Sequence, residues 1–277
     1  MLEADIQSAR SEVRNADALL IAAGAGMGVD SGLPDFRGTQ GFWKAYPKLA
    51  QLGHSFTQIA DPQAFDETPD LAWAFYGHRL HLYRQTRPHD GFRLLLECGQ
   101  SKKAGYFVFT SNVDGQFQKA GVPDDRIVEC HGSIHHLQCT RRCCGDIWSA
   151  DETIVVLDEE RFMAQDPLPS CPHCGELARP NVLMFGDSLW IGKRTIVQHE
   201  RFELWIYDVL KQDARLVVVE IGAGTAIPSV RIQSERIAHR SKGVLIRINP
   251  RDVEVSAGQI SIPLGALAGV QAILGTL

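Results

Sequence analysis

The chain has no apolar run approaching the roughly 20 residues needed to cross a bilayer, no internal repeat and no low-complexity segment. The first absence argues against a membrane role. It also lacks any excess of basic charge: 28 Lys and Arg against 33 Asp and Glu leave a formal net charge of −5. That balance argues against specific nucleic-acid binding and against an anionic membrane surface as partner. Residues 1–15 carry acids and arginines in a helical rhythm, which is not the pattern of a signal peptide. The dinucleotide spacing Gly-x-Gly-x-x-Gly is missing from the first glycine-rich turn, and no ribose-binding acid follows a second strand. An ordinary hydride-transfer dehydrogenase is therefore disfavoured.

What is present is ordinary globular composition, 44% hydrophobic and 22% charged over 277 residues, enough for one large core with a smaller module. Seven cysteines point to a metal site or free thiols before disulfides, and to the cytoplasm as compartment. Short apolar runs at 19–23, 106–110, 126–130, 216–221 and 244–248 are rich in β-branched or aromatic residues and lack in–out alternation. Such runs suit parallel strands covered on both faces. Amphipathic helical stretches at 2–15, 90–101, 192–212, 228–240 and 263–274 alternate with them. The alternation predicts an α/β protein with a Rossmann-like, doubly wound parallel sheet.

Two insertions break the alternation. Residues 38–87 are aromatic-rich, with a helix opened by Pro69 and capped by Thr68, and residues 138–180 hold most of the cysteines. The expected division is a large nucleotide-binding domain from 1–37, 88–137 and 181–277. A small domain would combine a helical part, 38–87, with a metal-binding part, 138–180. The working site would lie in the cleft between them.

Glycines at 24, 26 and 28 directly follow the first strand, where a tight turn lets backbone N–H groups face a phosphate. Pro34, Asp35, Phe36 and Arg37 come next, placed to close over a ligand. Cys171 and Cys174 form a Cys-x-x-Cys turn, and Cys139 pairs with Cys144 or Cys143 about thirty residues earlier. Two thiolate pairs so spaced suit a structural, four-coordinate Zn²⁺. Asn112 and Asp114 follow the second strand and His131 the third, at the sheet end where ligands collect. Asn112 can donate to and accept from a carboxamide, and His131 is a candidate general base near neutral pH.

Taken in order, these motifs resemble the sirtuin family of NAD-dependent protein lysine deacylases. Gly24 to Arg37 is similar to that family's Gly-Ala-Gly-Ile-Ser-x-x-Ser-Gly-Ile-Pro-Asp-Phe-Arg. Thr110 to Asp114 resembles its Thr-Gln-Asn-Ile-Asp, and His131-Gly132 its catalytic His-Gly. The segment from Arg179 to Asp187 looks like the one that binds substrate peptide, with Val182, Met184, Phe185 and Gly186 as candidate contacts. Gly222, Ala223, Gly224 and Asn249 are similar to its adenosine-binding turns. The resemblance implies NAD as cofactor, held by Gly24, Ala25, Gly26, Asp35, Phe36 and Arg37 and by the run Ser111, Asn112, Val113 and Asp114. It implies one structural Zn²⁺ and acylated lysine peptides or proteins as partners. It implies removal of an acyl group with release of nicotinamide and O-acyl-ADP-ribose, His131 taking a proton from a ribose hydroxyl.

Tyr76 and Arg79, three apart on the helix opened by Pro69, resemble the Tyr-x-x-Arg of sirtuins that remove succinyl, malonyl or glutaryl groups. A phenol and a guanidinium on one face can hold a carboxylate. The chain departs from the family pattern at Ala23, Gly28, Ser111, Phe117 and Ala223-Gly224, where polar groups are expected near the cofactor. These departures leave two alternatives open: an ADP-ribosyltransferase or NAD glycohydrolase on the same fold, and a catalytically weak NAD-sensing module.

Overall fold

The computed structural model describes residues 2–35 and 38–275. Its strands, in chain order, are β1 (Ala18–Ala23), β2 (Tyr106–Thr110), β3 (Ile127–Glu129), β4 (Gly132–Cys139), β5 (Ile147–Ser149), β6 (Leu157–Asp158), β7 (Met163–Ala164), β8 (Ala178–Val182), β9 (Leu216–Ile221), β10 (Val244–Ile248) and β11 (Ile260–Ile262). Six form one sheet in the order β11-β10-β9-β1-β2-β3, with every pairing parallel. The five strands expected from the apolar runs are all there. The sixth, β11, lies just before the expected last helix, which begins only at Ala266. Three residues with a polar Ser261 in the middle give too short an apolar run to mark a strand.

Every residue of β1, β2 and β9 is buried, and alternate residues serve opposite faces. Leu19, Ile21, Val108, Val217 and Val219 pack toward helices Leu2–Asn15, Asp90–Gln100 and Ala266–Leu274. Leu20, Phe107, Phe109 and Val218 pack toward helices Lys193–Lys211 and Ser229–Ser241. The double cover explains why the strands read as continuous apolar runs.

A third core joins the helices of 38–85 to the small sheet β5-β4-β8. Helix Pro69–Gln85 lies at its centre, and its Trp73 donates Nε1–H to the Ala178 carbonyl at 2.9 Å. Thr68 occupies the N-cap position but does not cap through its side chain; its hydroxyl reaches the Ala64 carbonyl at 3.4 Å, closing the preceding turn instead.

Candidate active site

The sheet has a topological switch between β1 and β9: the chain runs outward through β2 and β3, then returns to build β9, β10 and β11 on the other side. The loops that leave the carboxyl ends of β1 and β9 diverge there and open a crevice. A cleft of about 600 Å³ occupies that place. Gly24 and Ala25 line it after β1, Ser111 to Asp114 after β2, His131 after β3 and Gly222 to Gly224 after β9. The third core supplies the opposite wall through Tyr76, Arg79, Val182, Met184 and Phe185.

The glycines of the switch point interlock. Gly26 donates its N–H to the Gly222 carbonyl at 3.0 Å, and Gly24 donates to the Ile221 carbonyl at 3.0 Å. A Cβ on Gly24 or Gly26 would lie 2.7 Å from the backbone of the facing turn, and Gly222 has φ +62°. Gly26 therefore shapes the turn and is not on the cleft wall, whereas the sequence suggested a phosphate contact. Asn249 is likewise set behind the wall: it is fully buried and its Nδ2 donates to the Ala223 carbonyl at 2.8 Å, while its Oδ1 accepts from Arg251 and Asp252. Gly186 is also off the cleft lining. Phe36 and Arg37 lie outside the described residues. Asp35 lines the cleft and accepts from Arg251 at 2.8 Å, so the two loops meet at its mouth.

Asn112 is fixed twice. Its Nδ2 donates to the Gly24 carbonyl at 3.0 Å, and its N–H donates to Thr110 Oγ1 at 3.0 Å. Asp114 is buried; its Oδ1 accepts from the Gln116 N–H at 2.9 Å, and burial pushes its pKa up to about 6. His131 is partly buried, and burial lowers its pKa below the usual histidine value. The neutral ring, the form that can accept a proton, is favoured.

Arg79 is 6% exposed yet reaches the cleft. Its guanidinium carbon stands 5.1–5.6 Å from the ring centroids of Phe75, Tyr76 and Tyr83, and its Nε donates to the Tyr83 hydroxyl at 3.0 Å. Burial opposes the charge, but the phenols sustain it, and Tyr76 is pushed up to about 12 by the same burial. The result is a cation in an aromatic box facing a cleft. Across from it, the 182–186 segment is pinned by a buried Arg179–Asp187 ion pair at 2.8 Å. Leu183 donates its N–H to the His131 carbonyl and Phe185 to the Ala60 carbonyl, both at 2.9 Å.

The sulfurs of Cys139, Cys143, Cys171 and Cys174 all lie within 4.8 Å of one another. The Cys139–Cys174 and Cys143–Cys171 separations are 3.7 and 3.6 Å. Tetrahedral Zn²⁺ with Zn–S bonds near 2.3 Å sets sulfurs about 3.8 Å apart, so the donor set fits zinc. Cys143 therefore joins the cluster in place of Cys144, the first choice from sequence. Cys144 turns instead toward Asp146 and His173.

The departures from the family pattern divide in two. Phe117 packs on Phe92 at 4.9 Å in the sheet core, and Gly28 lies against Leu33. Ala23 is a buried strand residue. None of these three lines the cleft, so only Ser111, Ala223 and Gly224 alter its wall. Sequence reasoning missed Tyr83, Val230, Arg251 and Asp252, all of which line it. Tyr83 had a signal, standing four residues after Arg79 on the same helix.

Comparison with known proteins identifies the family and the fold. Residues 24–207 match the sequence model of the Sir2 family. A relative from Aeropyrum pernix, named NAD-dependent protein deacylase, is 31% identical over 251 residues, covering 90% of this chain and 87% of its own. One of the same name from Thermus thermophilus is 28% identical over 274 residues, covering 97% and 94%. The crystal structure of a Sir2 homolog–NAD complex has the same fold, with a TM-score of 0.68 at 24% identity over 96% of this chain and 92% of the other.

Proposed function

The chain belongs to the Sir2 family, and on that premise we propose that it is an NAD-dependent protein lysine deacylase, removing acetyl and also the acidic succinyl and malonyl groups. The observation that carries this reading is the meeting of Asn112, Asp114 and His131 with the Tyr76–Arg79 wall in one cleft. NAD held there would supply a ribosyl carbon for the acyl oxygen in exchange for nicotinamide, and with one water consumed to free the lysine amine the products would be lysine, nicotinamide and O-acyl-ADP-ribose.

The protein's own groups divide the work. Asn112, its Nδ2 held by Gly24, keeps its Oδ1 for a carboxamide N–H, and the Asp114 carboxylate accepts a second. Gly24, Ala25, Asp35, Ser111 and Val113 line the same cleft and would hold the cofactor, with Gly222, Ala223 and Gly224 for its adenosine part. His131, kept neutral by burial, accepts the proton of a ribose hydroxyl at a ring nitrogen. The substrate peptide adds along Val182, Met184 and Phe185, chiefly through backbone. Arg79 and Tyr76 take the carboxylate of an acidic acyl chain by charge-assisted hydrogen bonds. Cys139, Cys143, Cys171 and Cys174 hold a structural zinc that folds the insertion around it.

The two-part division, with 38–87 and 138–180 as the small domain, puts the cleft where the sheet core meets the third core. The compartment is the cytoplasm, where zinc-binding thiols stay reduced; no helix among the described residues is long and apolar enough to cross a membrane. The test is incubation with NAD and matched acetyl-lysine and succinyl-lysine peptides, followed by peptide mass. Loss of the acyl mass, faster from the succinyl peptide, is expected. Nicotinamide release with both peptides intact would replace the reading with a glycohydrolase or ADP-ribosyltransferase.

A further inference from the structure

The ring of His131 has a partner that no motif pointed to. Its Nε2 lies 3.2 Å from the Oγ of Ser229, 98 positions along the chain. Ser229 is the first residue of the thirteen-residue helix Ser229–Ser241. The N-cap position before it is Pro228, which has no side-chain group to cap the helix. The Ser229 hydroxyl meets the histidine ring. The flanking Ile227 and Val230 both line the cleft, as does His131, so the contact sits at the cleft wall.

A hydroxyl suits this partner because it can serve both charge states. It donates Oγ–H to the lone pair of neutral Nε2 and, by rotating, accepts N–H from protonated Nε2. The helix start adds a partial positive charge beside the ring, which disfavours the imidazolium. The charged groups that share the cleft are Asp35, Arg79, Asp114, Arg251 and Asp252, with Glu129 two residues before the histidine. On the serine's own helix, Arg231 is committed to the carbonyls of Asp252 and Glu254. Glu129 pairs with Arg194 and Asp35 with Arg251, and among the described residues His131 enters no ion pair. Ser229 is the side-chain partner recorded for its ring among the described residues.

We propose that Ser229 is the positioning residue of the general base, holding the His131 ring at Nε2 in one tautomer and accompanying the proton as it arrives and leaves. No net chemistry falls on the serine: its hydroxyl proton is shared toward Nε2, and the same hydroxyl turns to accept once Nε2 carries the proton. This inference rests on the deacylase reading only for the role of His131; the hydrogen bond itself is independent of it.

The test compares Ser229→Ala and Ser229→Thr with the parent protein, each first confirmed by an unchanged thermal melt. Histidine ¹⁵N NMR follows ring tautomer and pKa, and steady-state kinetics follow deacylation. In Ser229→Ala the His131 nitrogens are expected to shift toward a mixture of tautomers. Its kcat should fall at least about tenfold, a fraction of what general-base catalysis contributes, with KM for NAD unchanged. Ser229→Thr, which keeps the hydroxyl, should restore both. An alanine variant with the parent's tautomer and kcat would overturn the proposal, as would a threonine variant as impaired as alanine. If the parent protein itself shows no deacylation, the functional reading fails while the NMR arm still decides the Ser229 contact.

Discussion

Arg79 is a cation kept out of water by aromatic rings, in a wall where a solvated arginine would have been the ordinary outcome. Its replacement by methionine keeps length and packing but removes the charge. A hydrogen bond to a charged group is worth roughly 1.5–3 kcal/mol, about ten- to a hundredfold in rate. Arg79→Met should therefore lower kcat/KM for a succinyl peptide by that factor and for an acetyl peptide far less; equal losses would reduce Arg79 to a packing residue. Asp114 and His131 set the pH behaviour together. Burial raises the Asp114 pKa to about 6, so acid below that point protonates the carboxylate proposed to accept from the nicotinamide amide. Burial lowers that of His131, so the base stays neutral below the usual histidine value. A plot of kcat/KM for NAD against pH should fall on the acid side through about 6 with Asp114 as the governing group, and Asp114→Asn should flatten that limb. At this scale the sequence was legible where a residue sits beside its motif, as Asn112, Asp114 and His131 do. It was silent on Ser229 and Arg251, whose partners His131 and Asp35 lie far away along the chain.

The two glycine turns act as one element. A Cβ at Gly26 would meet Gly222 Cα at 2.7 Å, and neither backbone has a flexible end to move. Overpacking of this kind costs typically about 1–3 kcal/mol. Gly26→Ala should lower Tm and weaken NAD binding together, read by thermal melt with and without NAD. A variant with the parent's Tm and affinity would mean that the turns are not locked. Apolar runs revealed five of the six strands because their residues are covered on both faces, but β11, as short as β3, carries the polar Ser261 at its centre and did not register. The same limit applied to the cysteine turn. Spacing alone could not choose between adjacent Cys143 and Cys144, because the choice depends on which side of the turn faces Cys171. Metal content by mass spectrometry should stay near one zinc per chain in Cys144→Ser and drop in Cys143→Ser. The reverse result would return the ligand to Cys144.

For the whole molecule, the strand order places the switch point between β1 and β9 and gathers loops from distant parts of the chain around it. The sheet core supplies one wall of the cleft, proposed for the cofactor, and the third core the other, proposed for the acyl chain. Alternation of strands and helices predicted the fold class, and the order of motifs brought the Sir2 family into view. The packing of the helical insertion against the small sheet was not legible, since it depends on contacts such as Trp73 to Ala178 that span 105 positions. That joint is also where a peptide and a cofactor must meet if the reaction needs both. The most direct test measures nicotinamide released and acyl groups lost in one reaction, with peptide present and omitted. One nicotinamide is expected for each acyl group removed, and almost none without peptide. Nicotinamide formed at the same rate without peptide would contradict the deacylase reading.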